Sequence, residues 1–176
     1  WGGCSVWVSD NDQTYQRIGN ISQQARMGRT KYGFAQNGNF CNVVINQGVL
    51  KSGTHIDAER GNTLCWVNGE ALSYENVEVH PNNWYTLQGL VRGQYGTNAI
   101  NHNADERFVR VDEALFRYPY RKEDIGKTIY LKFTSMNLFG SNEQGLDEVQ
   151  SYQYTIVPYY IPEVSNLTLF TKYYEI

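Results

Sequence analysis

This 176-residue chain has no apolar run longer than a few residues, against the roughly 20 that a membrane helix needs, so no membrane span is expected. Its 15 Lys and Arg are scattered against 18 Asp and Glu, for a net charge of −3. A duplex or an anionic surface calls for clustered cations, so a nucleic-acid-specific site is not expected either. Cysteine is scarce and odd in number. Cys4, Cys41 and Cys65 cannot all pair within one chain, and they show neither CxxC nor Cys/His metal spacing. They read as reduced thiols, with a Cys4–Cys65 bridge left open. Catalytic signatures are missing too: no Gly-x-Ser-x-Gly elbow and no HxH or HExxH pair.

What is abundant is aromatic residues and glycine. Fourteen Tyr, four Trp, seven Phe and 16 Gly point to sheets joined by tight turns. The chain opens on Trp1-Gly2-Gly3-Cys4 without an apolar leader, and reads as a piece of a longer polypeptide.

The strands follow from alternation. "CSVWVS" (4–9) and "TYQRIGNI" (14–21) make a hairpin across the polar loop 10–13, and "CNVVIN" (41–46) is another strand. "IDAERG" supplies one short helical turn, stopped at Gly61. The sharpest local signal is Asn68-Gly69, a dipeptide that accepts positive φ at both central positions of a type I′ turn. It pairs Val67 with Glu70 and Trp66 with Ala71. "EALSYENVEV" (70–79) is expected as one strand, and after a turn at 80–83 "WYTLQGLV" (84–91) completes a three-stranded meander.

Further on, "TIYLKFTSMNLFG" (128–140) alternates Ile129, Leu131 and Phe133 on a core face against Tyr130, Lys132 and Thr134 on a wet one. A loop over 141–147 leads to "EVQSYQYTIV" (148–157), with Tyr152, Tyr154 and Ile156 on one side. Pro158 and Pro162 mark a linker, and "EVSNLTLFTKYYEI" opens a following β module. The fold class expected is mainly β: an antiparallel meander, barrel-like or sandwich, with little helix. Residues 1–157 form the β-rich module, with a division into two β subdomains near 115–127 left open, and 158–176 form the linker and next strand.

Each candidate site has a plainer structural reading. "GLVRGQYGT" (89–97) could suggest a phosphate cradle, but Gln94-Tyr95 replaces the required Lys and no helix follows. Gly93 and Gly96 instead let a strand bend, and the five donors of Arg92 brace that bend or a carboxylate such as Asp105 or Asp112. Asp10 and Asp12 could open a calcium loop, yet the Gly at its sixth position and the Glu at its twelfth are absent. Glu70 and Glu78 share a face of the expected strand about 27 Å apart, against the roughly 5–10 Å of a glycosidase pair. His55, His80 and His102 lie in polar surroundings and read as exposed turn residues. Asn20 and Asn166 begin tripeptides of the glycosylation type. No catalytic, cofactor-binding or metal residue is nominated, and no cofactor or enzymatic activity is expected.

The ordered stretches "WGGCSVWVSDNDQTYQRIG", "GNTLCWVNGEALSYENVEV", "YTLQGLVRGQYGT", "RFVRVDEALFRYPY" and "IGKTIYLKFTSMNLFG…LDEVQSYQYTI" together resemble the tail-protein module of long-tailed bacteriophages and gene transfer agents. That family forms the central tail hub, or host-specificity (tip-attachment) protein. The resemblance implies a structural virion component in the tail-tip baseplate hub, assembled in the bacterial host cytoplasm. It further implies a homotrimer that caps the tail tube. Its partners would be other tail-tip and distal tail proteins, with host attachment through receptor-binding modules nearby. The rival function is a carbohydrate-binding or glycan-degrading tail module built on Tyr and Trp platforms. Trp7, Trp66 and Trp84, however, lie in strand patterns, where core packing is the usual fate.

Overall fold

In the computed structural model, which describes residues 2–139 and 142–157, the chain is mainly β, with two antiparallel sheets and one short α-helix. The expected linker and following strand at 158–176, with Asn166, lie outside the described residues. Strands β1 (Cys4–Ser9), β2 (Gln16–Ile21), β10 (Thr128–Ser135) and β11 (Tyr152–Thr155) make a four-stranded sheet in the order β11-β10-β1-β2. Between β2 and β10 the chain builds the second sheet. Its strands are β3 (Met27–Thr30), β4 (Phe40–Ile45), β5 (Cys65–Val67), β6 (Glu70–Leu72), β7 (Asn76–His80), β8 (Trp84–Gln88) and β9 (Arg107–Arg110). They lie in the order β6-β5-β9-β3-β4-β8-β7, and this sheet curls into a half-barrel.

The Asn68-Gly69 turn forms as its chemistry dictates. Asn68 has φ 39° and Gly69 φ 102°, and the register pairs Val67 with Glu70 and Trp66 with Ala71. Gly69 faces open space, so a larger side chain there meets no atom but must adopt a left-handed backbone. Gly69→Val is expected to lower stability by about 1 kcal/mol or more, read as a shift in urea midpoint. A neutral substitution would show that the turn does not hold the register.

The expected three-stranded meander does not form. Residues 70–79 are not one strand: β6 ends at Leu72, β7 begins at Asn76, and the two occupy opposite edges of the sheet. The break has a tertiary cause. Ser73 exchanges two backbone hydrogen bonds of 2.9 Å with Val91, and the Glu75 N–H donates to the Gln88 carbonyl. Leaving β5 after three residues lets the chain cross to β8, and that crossing curls the sheet until its edges approach. The geometry places Glu70 and Glu78 on different strands, so the shared-face separation expected between them does not apply.

The concave side of this sheet holds the core, with Cys41, Val43, Cys65, Val67, Leu87 and Phe108 fully buried. All three cysteines are buried free thiols, and burial pushes Cys41 up to about 12. Helix α1 (His55–Glu59) is where one turn was expected. It starts on a capping box between Thr54 and Asp57, and Gly61 follows it at φ 73°.

In the other sheet the expected wet face of β10 is half wrong. Thr134 is buried, as Ile129 is on the opposite face, while Leu131 and Phe133 are only half-buried. A hydroxyl tolerates that position because it is satisfied on both sides: it accepts from the Trp7 indole N–H at 2.8 Å and donates to Glu143. Glu143, within the expected loop 141–147, thus lies against a face that the alternation left to solvent, and of the strand expected over 148–157 only Tyr152–Thr155 forms. On β11, Tyr152 and Tyr154 are exposed and Ile156 just beyond it is buried.

Candidate functional site

Glu70 begins β6 immediately after the type I′ turn. Strand alternation puts it on the same side as Leu72, facing the interior beside Val67. Its side chain has no solvent exposure. A buried carboxylate is costly unless saturated with donors, and here five N–H groups converge on it. Oε1 accepts from Arg92 Nε at 2.7 Å and from the Gly93 amide at 3.1 Å. Oε2 accepts from Arg92 Nη2 at 2.8 Å and the Ile100 amide at 3.1 Å, and lies 2.9 Å from His102 Nε2.

Burial alone would raise the Glu70 carboxyl. The bonds from Arg92, His102 and the two backbone amides more than offset it and hold the group at about 2. Glu106 is the outer carboxylate. Burial pushes it up, but its bond to His102 and the Asn103 amide leave it below the usual range.

The bend 93–97 supplies one of the two amides, that of Gly93, and Ile100 just beyond it supplies the other. Gly93 (φ 61°), Tyr95 (φ 52°) and Gly96 (φ 77°) are all left-handed, forming a tight 3-10 turn over Gln94–Gly96. A Cβ at Gly93 would come within 3.1 Å of the Thr97 carbonyl and the Ala99 amide, so glycine is required where the amide must point at Glu70. Thr97 ties the bend down by donating to the Gln94 carbonyl and accepting from the Ala71 amide.

Arg92 braces this region, but its carboxylate is Glu70 rather than the expected Asp105 or Asp112. Those two face Arg29 and Arg26 respectively. The guanidinium also donates to the carbonyls of Ala35, Gly38 and Ile100, so its five N–H groups all have protein acceptors. Its carbon lies 4.9 Å from the centre of the Phe34 ring.

His102 corrects the expectation of an exposed turn histidine. Its side chain is wholly buried, stacked on Phe34 with ring centres 4.6 Å apart, and its backbone forms a two-bond bridge to Phe34. Nδ1 lies 2.6 Å from Glu106 Oε2 while Nε2 meets Glu70, so only a doubly protonated ring donates on both sides. His80 is half-buried at the end of β7, its ring flat against Trp84 at 3.5 Å. His55 is exposed at the start of α1 and pairs with Glu75 and Glu59.

The other polar constellations are local. Asp12 (φ 58°) accepts from the Tyr15 and Ser151 hydroxyls, which joins the first hairpin loop to the segment before β11. Among the described residues no group of His, Cys, Asp and Glu has the arrangement of a metal site. Arg26 pairs with Asp112 at 2.8 Å, and Arg110 donates to the carbonyls of Asn62, Leu64 and Val111. Trp66 departs from the core placement expected of it: it is 44 % exposed on the convex side of the curled sheet.

The Glu70–Arg92–His102–Glu106 constellation is not legible in the sequence because it joins three separate segments: the start of β6, the bend after β8 and the stretch 102–106. One signal for it exists: a Glu in register with a core Val, and in phase with a core Leu, has to find a cation. Chemically the arrangement fixes three loops to one buried charge, and no polar atom of the His102 ring is left over to act on a ligand.

No curated protein matches the chain. Residues 16–109, from the start of β2 to within β9, match the family model described as Rcc01698-like, C-terminal. The match takes in more than half the chain and all four members of the buried network, and on that extent the chain belongs to the Rcc01698-like, C-terminal family.

Proposed function

We propose that this chain is an architectural module of a phage-type tail-tip hub. In this reading it helps to close the distal end of the tail tube and carries the parts that engage the host surface. The five ordered sequence stretches that resemble tail-hub modules motivate the reading. One structural observation carries it: the most elaborate polar site is turned inward. Arg92 spends every donor on the protein, and Glu70 and His102 have no exposed side-chain surface. Such a site holds loops in place. A catalytic or sugar-binding arginine would keep donors free for a ligand. The glycan-binding rival also loses a platform, since His80 stacks on the Trp84 ring and the Lys31 ammonium lies 3.7 Å from its centre.

The test is location. An epitope tag in the exposed loop 10–13 of the full parent protein, detected by immunogold microscopy on purified particles, is expected to mark the distal tail end. Gold on the head, or none on any particle, would sink the proposal. Native mass measurement across concentration is expected to find trimers of the parent protein, and a monomer at all concentrations would remove the capping role.

A further inference from the structure

The convex side of the curled sheet carries a feature that stability alone does not explain. Arg29 on β3 and Arg107 on β9 are direct cross-strand partners, both exposed. Like charges placed opposite one another on adjacent strands destabilise a sheet. Asp105 offsets this poorly: its carboxylate is 81 % exposed and reaches only Arg29, at 3.4 Å, although its backbone carbonyl accepts from that guanidinium at 2.7 Å. Arg107 has no side-chain hydrogen bond or ion pair among the described residues.

Most apolar residues around the pair are also exposed, with Val109 half-buried among them. Trp66, Val109 and Met27 form one row across β5, β9 and β3, and Val44 lies opposite Arg29 on β4. Met27 is 43 % exposed and Val44 is 37 % exposed. A groove runs over this area, and Asp105 is its one lining carboxylate against Arg29, Arg107 and Lys31. The chain as a whole is net acidic, so this is a local reversal of charge. An apolar centre of Trp, Met and Val rimmed by arginines has the composition of a protein-binding patch.

We propose that this face docks an acidic peptide segment of a partner protein. A carboxylate of that segment sits between Arg29 and Arg107, and a neighbouring apolar side chain lies on Met27, Val44 and Val109. The guanidinium fork suits a carboxylate because it can donate two parallel N–H bonds to it. Seating an anion there removes the repulsion that the free chain carries. The inference stands apart from the tail-hub reading, since the face is the same whatever assembly the chain enters.

The test uses the full chain and a fluorescein-labelled peptide of alternating Asp and Leu, followed by anisotropy, with an Asn/Leu peptide as control. Saturable binding that weakens with salt is expected for the acidic peptide alone. The double substitution Arg29→Ser, Arg107→Ser is expected to weaken it by about tenfold or more, while the melting temperature of the free chain stays level or rises. Equal binding by the double variant, equal binding of the Asn/Leu peptide, or no saturation would overturn the proposal. So would a marked fall in melting temperature, which would make the arginines part of the fold. Two further outcomes would overturn it by naming another occupant: a wild-type dimer in sedimentation that the double variant loses, or displacement of the peptide by phosphatidylserine vesicles.

Discussion

Arg92→Lys is expected to lower the unfolding free energy by about 2–4 kcal/mol, although charge is kept. The guanidinium delivers five N–H bonds in a plane, two to Glu70 and three to the carbonyls of Ala35, Gly38 and Ile100. An ammonium has three donors at one point and cannot span that set, so at least two acceptors lose their partner beside the buried Glu70 carboxylate. The loss should show as a lower urea midpoint at pH 7 with an unchanged slope. Arg92→Ala should cost more, roughly 3–5 kcal/mol, since it leaves the Glu70 charge buried without its main cation. If Arg92→Lys melted within about 0.5 kcal/mol of wild type, well inside the cost of a lost buried bond, the bracing role would be wrong.

The residues that make this network differ in how readily a sequence shows them. Asn68-Gly69 is a local signal, because positive φ at two consecutive positions restricts residue type whatever surrounds the turn. The turn and its register are therefore readable before any tertiary contact is known. Residues 73–75 are the reverse case. Nothing in Ser-Tyr-Glu breaks a strand, and the bend exists because Ser73 pairs with Val91, 18 positions along the chain. His102 fails for a related reason. Its neighbours Asn101 and Asn103 are exposed, so the local polarity is true of the segment and false of the one side chain turned inward. Arg92 was readable as a brace because a five-donor group beside a glycine bend needs acceptors. The partner it chose depends on Glu70, which only the sheet register brings near. Alternation likewise misplaced Thr134 and Trp66, since a strand covered on both faces, or exposed on an apolar one, does not obey the two-residue period.

Acid is expected to unfold the chain chiefly through the same carboxylate. Glu70 is held at about 2 in the folded protein against an ordinary 4.5 in the unfolded chain. Below 4.5 the unfolded chain takes up a proton that the folded one refuses. The stabilisation is therefore whole above about pH 4.5 and fades as pH falls toward 2. A gap of that size corresponds to about 3 kcal/mol at 1.36 kcal/mol per unit, for a side chain with no exposed surface. Glu106, also held below its ordinary value, acts in the same direction through His102. Other lowered carboxyls, such as Asp57 in its capping box, add to the slope in wild type and variant alike, so a paired comparison removes them. Glu70→Gln has the same length and no charge to titrate. It should be less stable than wild type at pH 7, because a neutral amide leaves Arg92 facing no anion and His102 with Glu106 alone. Its unfolding free energy should then fall by about 3 kcal/mol less than wild type between pH 4.5 and pH 2. Urea midpoints taken across that range, with circular dichroism as the probe, measure both curves. If the two ran parallel, the acid sensitivity would belong to other groups and Glu70 would not be the charge around which these loops are fixed.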